Sequence, residues 1–87
     1  MCTTDDIILV ETCGACPEQY DAYYNAEIVG YLRLRYGYFS VRCPSSSGDI
    51  VYDAHPRGDG IFELDERDFY LNKAKDAIAN YINSVGI

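Results

Sequence analysis

The chain has 87 residues, which is enough for one domain, residues 1–87, with a small hydrophobic core. Its formal net charge of -7 argues against direct DNA binding, because nucleic-acid binding depends on the neutralisation of phosphates by Lys and Arg. No apolar run is long enough to cross a membrane and the acidic N-terminus MCTTDD does not resemble a signal peptide, so a cytoplasmic protein is expected.

The first predicted element is a buried strand over residues 7–12, because IILVET is apolar and rich in β-branched side chains. The polar residues 1–6 before it are expected to fray. A tight turn at residues 13–17 follows, and its sequence CGACP contains the pair Cys13 and Cys16. In a cytoplasmic chain, such cysteines are thiols, metal ligands or a redox pair more often than structural disulfides.

Two interpretations are open for the next stretch, Glu18–Tyr24. A helix would begin favourably with Pro17 at its first position, whereas a strand suits the three tyrosines. The strand is preferred, because a loop at residues 25–27 would then align its apolar face with that of the hairpin that follows. This pairing also places Asp21 opposite Tyr31.

The clearest pattern is a β-hairpin over residues 28–43, in which two alternating runs meet at Tyr36 and Gly37. The resulting register places four apolar side chains on one face, namely Leu32, Leu34, Phe39 and Val41. The opposite face then carries Tyr31, Arg33, Arg35, Tyr38, Ser40 and Arg42. A slip of one residue would destroy this sorting, so the register is well specified. Gly37 suits a two-residue turn, but Tyr36 fits a type I′ turn poorly.

The C-terminal part predicts one more strand, over residues 50–54, and one helix, over residues 65–85. Asp65 is the expected N-cap of the helix and Gly86 its stop. The apolar residues of the helix recur at spacings of three and four, at Leu71, Ala74, Ala77, Ile78, Tyr81, Ile82 and Val85. Together the elements predict an α+β fold, an antiparallel meander of about five strands with one C-terminal helix packed on one face.

The pair Cys13 and Cys16 supports two chemical hypotheses. A thiol-disulfide oxidoreductase needs a strand before the pair and a helix after it, and the chain from residue 7 to about residue 24 resembles locally the start of a thioredoxin or glutaredoxin domain. A metal site would need further ligands, for which His55 is a weak candidate. The remaining alternative is that the cysteines are thiols in a turn. No cofactor and no metal are predicted.

A second candidate site lies on the polar face of the central hairpin. Its predicted binding residues are Asp21, Tyr31, Arg33, Arg35, Tyr38 and Arg42. Arginine next to tyrosine can hold a phosphate and stack on a base, so one interpretation is a site for a signalling nucleotide. Because both residue types are enriched at interface hot spots, a second interpretation is a protein interface. A third is a solvated face whose arginines pair with carboxylates such as Asp21.

The third feature is an acidic patch that consists of Asp59, Glu63, Asp65, Glu66 and Asp68. Carboxylates near the start of a helix usually form a solvated surface, which the helix dipole favours. The alternative is that the patch imitates the phosphates of DNA. It would then occupy the basic groove of a host protein, such as a nucleic-acid-binding protein or a nuclease complex.

Three stretches of the sequence, CGACPEQYDAYY, VGYLRLRYGYFSV and GDGIFELDERDFYL, resemble small proteins encoded by phages and prophages of bacteria. The resemblance extends from Leu9 to Tyr81. It implies a non-enzymatic accessory protein that inhibits a host defence factor, either by blocking a host protein complex, as anti-CRISPR proteins do, or by sequestering a nucleotide signal. The leading functional prediction is therefore stoichiometric binding without turnover, and the alternative is the thiol-disulfide oxidoreductase.

A homodimer is also predicted. One helix can cover only one face of a sheet of about five strands, so the other face would expose Tyr23, Val29, Tyr31 and Tyr38. Soluble monomers rarely leave a large apolar patch uncovered. Two such faces would meet about a two-fold axis.

Overall fold

The structure is a computed structural model, and it describes residues 2–14 and 17–86. Five antiparallel strands form one sheet in the order of the chain, namely β1 Ile8–Gly14, β2 Glu18–Tyr24, β3 Glu27–Arg35, β4 Tyr38–Cys43 and β5 Asp49–Ala54. A 3₁₀ turn over Thr4–Asp6 precedes β1, and the helix α1, Arg67–Val85, follows β5. The predicted α+β meander with one C-terminal helix is confirmed.

The central hairpin has the predicted register, and all five predicted residue pairs form between β3 and β4. The apolar side chains of its inner face are completely buried, namely Leu32, Leu34, Phe39 and Val41. At the turn, both Tyr36 (φ 55°) and Gly37 (φ 71°) have positive φ, which is the combination that a type I′ turn requires. The tyrosine therefore adopts a conformation that its side chain disfavours.

Strand β2 confirms the preferred interpretation of its sequence and excludes the helix. Its pairing with β3 differs from the prediction at one end. The connection is a two-residue turn at residues 25–26, with φ values of 52° and 67°, rather than a three-residue loop. A β-bulge follows, so Tyr23 lies opposite Ile28 and Val29 is the extra residue. Val29 is therefore buried and Ile28 is exposed, which corrects the predicted exposure of Val29.

Strand β1 is an edge strand rather than the buried strand that its composition predicts. It pairs only with β2, and Ile8 and Val10 are about half exposed. The expected fraying is also wrong for residues 2–6, and Met1 lies outside the described residues. Cys2 is buried, and its backbone N–H and C=O bond to the side-chain amide of Asn83 at 2.8 Å each. These bonds fix the N-terminal segment to the last turns of α1.

Helix α1 covers the inner face of the sheet with an apolar stripe that differs slightly from the prediction. Three of the predicted residues are buried, namely Ala74, Ile78 and Ile82, whereas Leu71, Ala77 and Tyr81 are partly buried. Ala79 is buried although it was not predicted, and Val85 is half exposed. The helix approaches the sheet closely at Gly30, where an added Cβ would lie 3.1 Å from Cδ1 of Ile78. A larger residue at position 30 would push the helix away from the core.

The predicted start of α1 is wrong, and its predicted end is confirmed. The helix begins at Arg67, with Glu66 rather than Asp65 in the N-cap position. It ends as predicted at Gly86, which has a left-handed φ of 76°. Among the described residues, no helix combines the length and the apolarity that crossing a membrane requires.

Two buried carboxylates hold the loop between β5 and α1 against the sheet. The first belongs to Glu18, which is 1% exposed. It accepts hydrogen bonds from Nε and Nη2 of Arg67 at 3.0 and 3.2 Å, from the backbone N–H of Phe62 at 3.0 Å and from the Tyr20 hydroxyl. Burial raises the pKa of Glu18, but these donors outweigh it and the net shift is downward.

The second buried carboxylate belongs to Glu66. Its oxygens accept backbone N–H bonds from Arg57, Gly58 and Glu63 at 2.8 to 2.9 Å. Burial raises the pKa of Glu66, but the three backbone bonds outweigh burial and lower it. The loop is thus folded around the buried carboxylate of Glu66. An ion pair between Arg57 and Asp65 stabilises it further.

Candidate binding site on the open sheet face

The sheet face opposite α1 is uncovered, and we refer to it as the open face. Strand pairing divides its side chains into two ends. The apolar end, near the turn at residues 25–26, consists of Ile8, Val10, Tyr23 and Ile28. The cationic end, toward the turn at residues 36–37, carries Tyr31, Arg33, Arg35, Tyr38, Ser40 and Arg42, and β5 borders it with Ile50 and Asp53. The open face therefore has two distinct surfaces.

A depression of about 660 Å³ opens on the cationic end. It is lined by Tyr31, Arg33, Arg35, Tyr36, Tyr38, Ser40, Arg42 and Ser46. Five of the six predicted binding residues are therefore brought together, and Asp21 is not among the lining residues. The depression forms because Ser40, the smallest side chain of the cationic end, lies opposite Arg33 and between longer side chains. Its volume is in the range of small-molecule sites, about 300–1,000 Å³.

The three arginines of the depression form no ion pair with any carboxylate in the described part of the chain. The guanidinium groups of Arg33 and Arg35 also have no hydrogen-bond acceptor there, and Nε of Arg33 is buried without a partner. A buried donor left unsatisfied costs about 1–3 kcal/mol. Positions two residues apart on one strand are about 7 Å apart, within the Debye length of about 8 Å, so these charges repel one another. The predicted pairing with carboxylates such as Asp21 does not form.

Two tyrosines of the depression are fixed by the protein itself. The hydroxyl of Tyr31 donates to the side chain of Gln19, and that of Tyr38 donates to Asp53 at 2.9 Å. The hydrogen bond to Asp53 raises the pKa of Tyr38. The ring of Tyr38 also packs against His55, with the ring centroids 5.5 Å apart. The protein itself therefore holds the side chains of Tyr31 and Tyr38 in place, without a ligand.

Tyr36 was not predicted as a site residue, because a turn position belongs to neither face of a hairpin. Its side chain is 80% exposed, and the guanidinium of Arg35 lies 4.9 Å from its ring centroid. It borders a second depression of about 220 Å³, which Arg35, Asp59 and Gly60 also line. The turn is anchored there, since the Gly37 N–H donates to the Asp59 carbonyl at 2.8 Å. The poor fit of Tyr36 to a type I′ turn is the sequence signal from which its place in the site could have been predicted.

Ser46 was also missed, because it reaches the site through a loop that follows β4. The loop folds back onto the sheet, where Nη1 of Arg42 donates to the carbonyl of Gly48 at 3.0 Å. The fold-back is tight, since a Cβ at Gly48 would lie 2.0 Å from the carbonyl oxygen of Cys43. Such a closure depends on contacts between distant atoms, and composition alone indicates only a loop.

The acidic patch is smaller than predicted. Glu66 is buried and its carboxylate is occupied by backbone donors, so it does not belong to the surface. Asp65 is exposed but forms the ion pair with Arg57. The carboxylates that stay exposed outside these bonds are Asp59, Glu63 and Asp68. A surface that imitates DNA phosphates would therefore retain only part of the charge expected from the sequence.

The cysteine hypotheses lack their structural context. The chain after Pro17 continues as β2, so no helix N-terminus follows the pair to stabilise a thiolate. Cys16 itself lies outside the described residues. Cys13 is on β1 and His55 follows β5, and four strand spacings of about 4.8 Å place these edges about 19 Å apart. Within residues 2–14 and 17–86, no three potential ligand residues are grouped as a metal ion requires.

The two other cysteines, Cys2 and Cys43, are free thiols in the core. Burial raises the pKa of both thiols, to about 11 for Cys43. They are therefore protonated at neutral pH, whereas a nucleophilic cysteine must form a thiolate.

No family model matches the sequence, and comparisons with curated proteins and with solved structures gave no match either. A functional conclusion therefore depends on the geometry of the open face. Its cationic end offers positive charge, hydrogen-bond donors, hydroxyl groups and aromatic rings, which is the chemistry of anion and ring binding.

Proposed function

We propose that the protein is a small non-enzymatic binding protein whose open face captures an anionic partner in stoichiometric amounts. The observation that supports this most strongly is the set of unpaired arginines, Arg33, Arg35 and Arg42. The chain has 14 acidic side chains, so carboxylates are abundant, yet none of those described pairs with these three. Positive charge kept unpaired in a protein of net charge -7 suits an anionic ligand.

The proposed setting is the cytoplasm of an infected bacterium, on the resemblance of the sequence to small phage and prophage proteins. The proposed consequence is inhibition of a host defence factor by occupation rather than by turnover. The captured partner would be either a nucleotide signal or a host protein.

The shape of the site favours the nucleotide signal. Small-molecule sites are concave, and the depression is large enough for one nucleotide. A protein blocker would need a contact of about 800 Å² on each partner, which extends well beyond the depression. The half-exposed aliphatic side chains of the apolar end are the observation that supports this second candidate.

We also propose that the apolar end forms a homodimer contact. Ile8, Val10 and Ile28 are 58%, 46% and 46% exposed, and they adjoin one another across three strands. A two-fold contact there would leave the depression open, because it lies at the other end of the face. Light scattering at high micromolar protein is expected to give twice the mass of one chain, and Ile28→Asp is expected to halve it. A wild-type mass of one chain would contradict the dimer.

The binding function can be tested by capture from a bacterial lysate with immobilised protein. The double variant Arg33→Gln/Arg35→Gln removes two charges from the depression, and it spares Arg42, which also holds the loop after β4. Lys73→Gln/Lys75→Gln removes the same charge from α1 and serves as the matched control. Mass spectrometry identifies both the proteins and the small molecules that are retained.

We expect the wild type and the lysine variant to retain the same partner, with about one partner molecule bound per chain. The arginine variant should lose it. The partner should be released chemically unchanged on denaturation. An insulin-reduction assay, in which no turnover is expected, separates this function from the thiol-disulfide alternative. Equal capture by all three proteins, or a chemically altered partner, would contradict the proposal.

A further inference from the structure

We infer that the occupant of the open face is a nucleotide, with its phosphate among the arginines of the depression and its base stacked on Tyr36. This inference rests on the proposed binding function and deepens it by naming the ligand class. It also adds Tyr36 and Asp59 as specificity residues.

The phosphate position follows from the neighbours of Ser40. Arg33 lies directly opposite Ser40 on β3, and Arg42 lies two residues along β4 on the same face. Asp53 lies opposite Ser40 on β5, but it accepts the Tyr38 hydroxyl and is not among the lining residues of the depression. Two guanidinium groups and a hydroxyl therefore surround the floor of the depression. Planar guanidinium forks match the oxygens of a phosphate, and neither Arg33 nor Arg35 is committed to a protein acceptor.

The base position follows from Tyr36. Its ring is the most exposed of the aromatic side chains on this face, and Arg35 supports one side of it. Aromatic side chains that stand free in solvent are the platforms on which bases stack. Arg33 and Tyr36 are three residues apart, about 10 Å along the strand, a span comparable to one nucleotide.

The conformation of Tyr36 is an independent argument. A bulky residue with positive φ is an outlier, and the fold alone would prefer Asn before Gly in a type I′ turn. Strain of this kind persists at ligand sites, where the side chain has a use that local stability does not explain. A tyrosine at this position gives the turn no buried contact, but it gives a ligand an exposed ring.

Asp59 supplies the remaining chemistry. It lines the second depression together with Tyr36, and its carboxylate is exposed. A carboxylate beside a stacking ring accepts hydrogen bonds from ribose hydroxyls or from the exocyclic amino group of a base. A plain anion would have no use for this group and would be repelled by it, so the combination selects for a nucleotide over inorganic phosphate.

Isothermal titration calorimetry with AMP, GMP, CMP and UMP tests the inference, with inorganic phosphate and adenosine as partial ligands. At least one nucleotide is expected to bind once per chain and about tenfold or more tightly than either partial ligand. Tyr36→Asn, which suits the turn and removes the ring, and Arg33→Gln/Arg35→Gln are each expected to weaken this binding about tenfold or more. Lys73→Gln/Lys75→Gln should leave it unchanged.

Three results would overturn the inference: no binding of any nucleotide at millimolar concentration, phosphate binding as tight as nucleotide binding, or undiminished affinity in Tyr36→Asn. Its failure differs from failure of the binding function. If no nucleotide binds but Arg33→Gln/Arg35→Gln still loses a protein partner in the lysate experiment, the open face remains a binding surface with a different occupant.

Discussion

The protein contains two sets of charged side chains that the fold treats in opposite ways. Glu18 and Glu66 are buried, and their carboxylates accept four and three hydrogen bonds. Arg33 and Arg35 lie on the open face, and their guanidinium groups donate no hydrogen bond to any described acceptor. Buried charge is costly unless it is paired, so the first set had to be satisfied by the fold. The second set has no such role, which is why we associate it with a ligand.

The largest loss of stability is expected from a substitution of Glu18. Glu18→Gln keeps the volume of the side chain but removes the charge that faces Arg67. Breaking one partner of a buried ion pair typically costs about 3–5 kcal/mol, and we expect a loss at the lower end, about 3 kcal/mol, because Arg67 is partly solvated. Urea unfolding at pH 7 measures it. Glu63→Gln, at an exposed carboxylate of the loop that Glu18 holds against the sheet, should change the free energy of unfolding by less than about 0.5 kcal/mol.

Lowering the pH should remove the stability that the buried carboxylates of Glu18 and Glu66 provide. The folded pKa values of Glu18 and Glu66 are lowered, so the stability they provide is complete above the ordinary glutamate pKa of about 4.3. It is lost as the pH falls from there through the lowered values. We expect nearly constant unfolding free energy from pH 7 to 5 and a steep decrease below. The decrease should be shallower in Glu18→Gln, and an identical decrease in both proteins would count against the assignment.

A smaller effect of opposite sign is expected at the turn. Tyr36→Asn places a residue that tolerates positive φ before Gly37, and it removes a ring that contacts no core residue. We expect stabilisation by about 1 kcal/mol, at the low end of the range for relief of backbone strain. Thermal unfolding measures it. A destabilised variant would show that the ring supports the fold.

The smallest effect is predicted for the arginines themselves. Arg33→Gln/Arg35→Gln removes two charges that repel each other and Arg42 but breaks no described hydrogen bond or ion pair. We expect no loss of unfolding free energy beyond about 0.5 kcal/mol, and a small gain, because the variant also removes the buried, unsatisfied Nε of Arg33. Loss of several kcal/mol would mean that the open face has a structural role.

Patterns with a strict period predicted most of the fold. Alternation in the hairpin determined its register correctly, because a slip would have exposed Leu32 and Phe39. The helix stripe was recognised for the same reason. Local insertions were not predictable in this way. The bulge that buries Val29 follows from a two-residue turn whose second residue, Ala26, does not favour the positive φ that it adopts. The exposure of β1 was missed because its apolar composition was taken to indicate burial, although the first strand of the predicted meander lies at the edge of the sheet.

The candidate site was predicted where it lies on a strand and missed where it lies on a loop. Alternation placed Tyr31, Arg33 and Tyr38 on one face, and pairing then brought them together. Ser46 reaches the depression through a loop closure that depends on long-range contacts. Glu66 was assigned to the surface because acidic residues are usually exposed, and only the three surrounding N–H groups explain its burial.

The central claim is that the arginines of the open face serve a ligand and not the fold. The most direct test is the melting temperature in the presence of nucleoside monophosphates, for the wild type and for Arg33→Gln/Arg35→Gln. A ligand at about 100 times its dissociation constant adds about 2.7 kcal/mol of stability, which corresponds to about 10 °C or more in a domain of this size. We predict such an increase in the wild type and none in the variant, although both melt at similar temperatures without ligand. No increase in the wild type would exclude a nucleotide as the ligand. An equal increase in both proteins, or a variant that melts much lower than the wild type without ligand, would contradict the central claim.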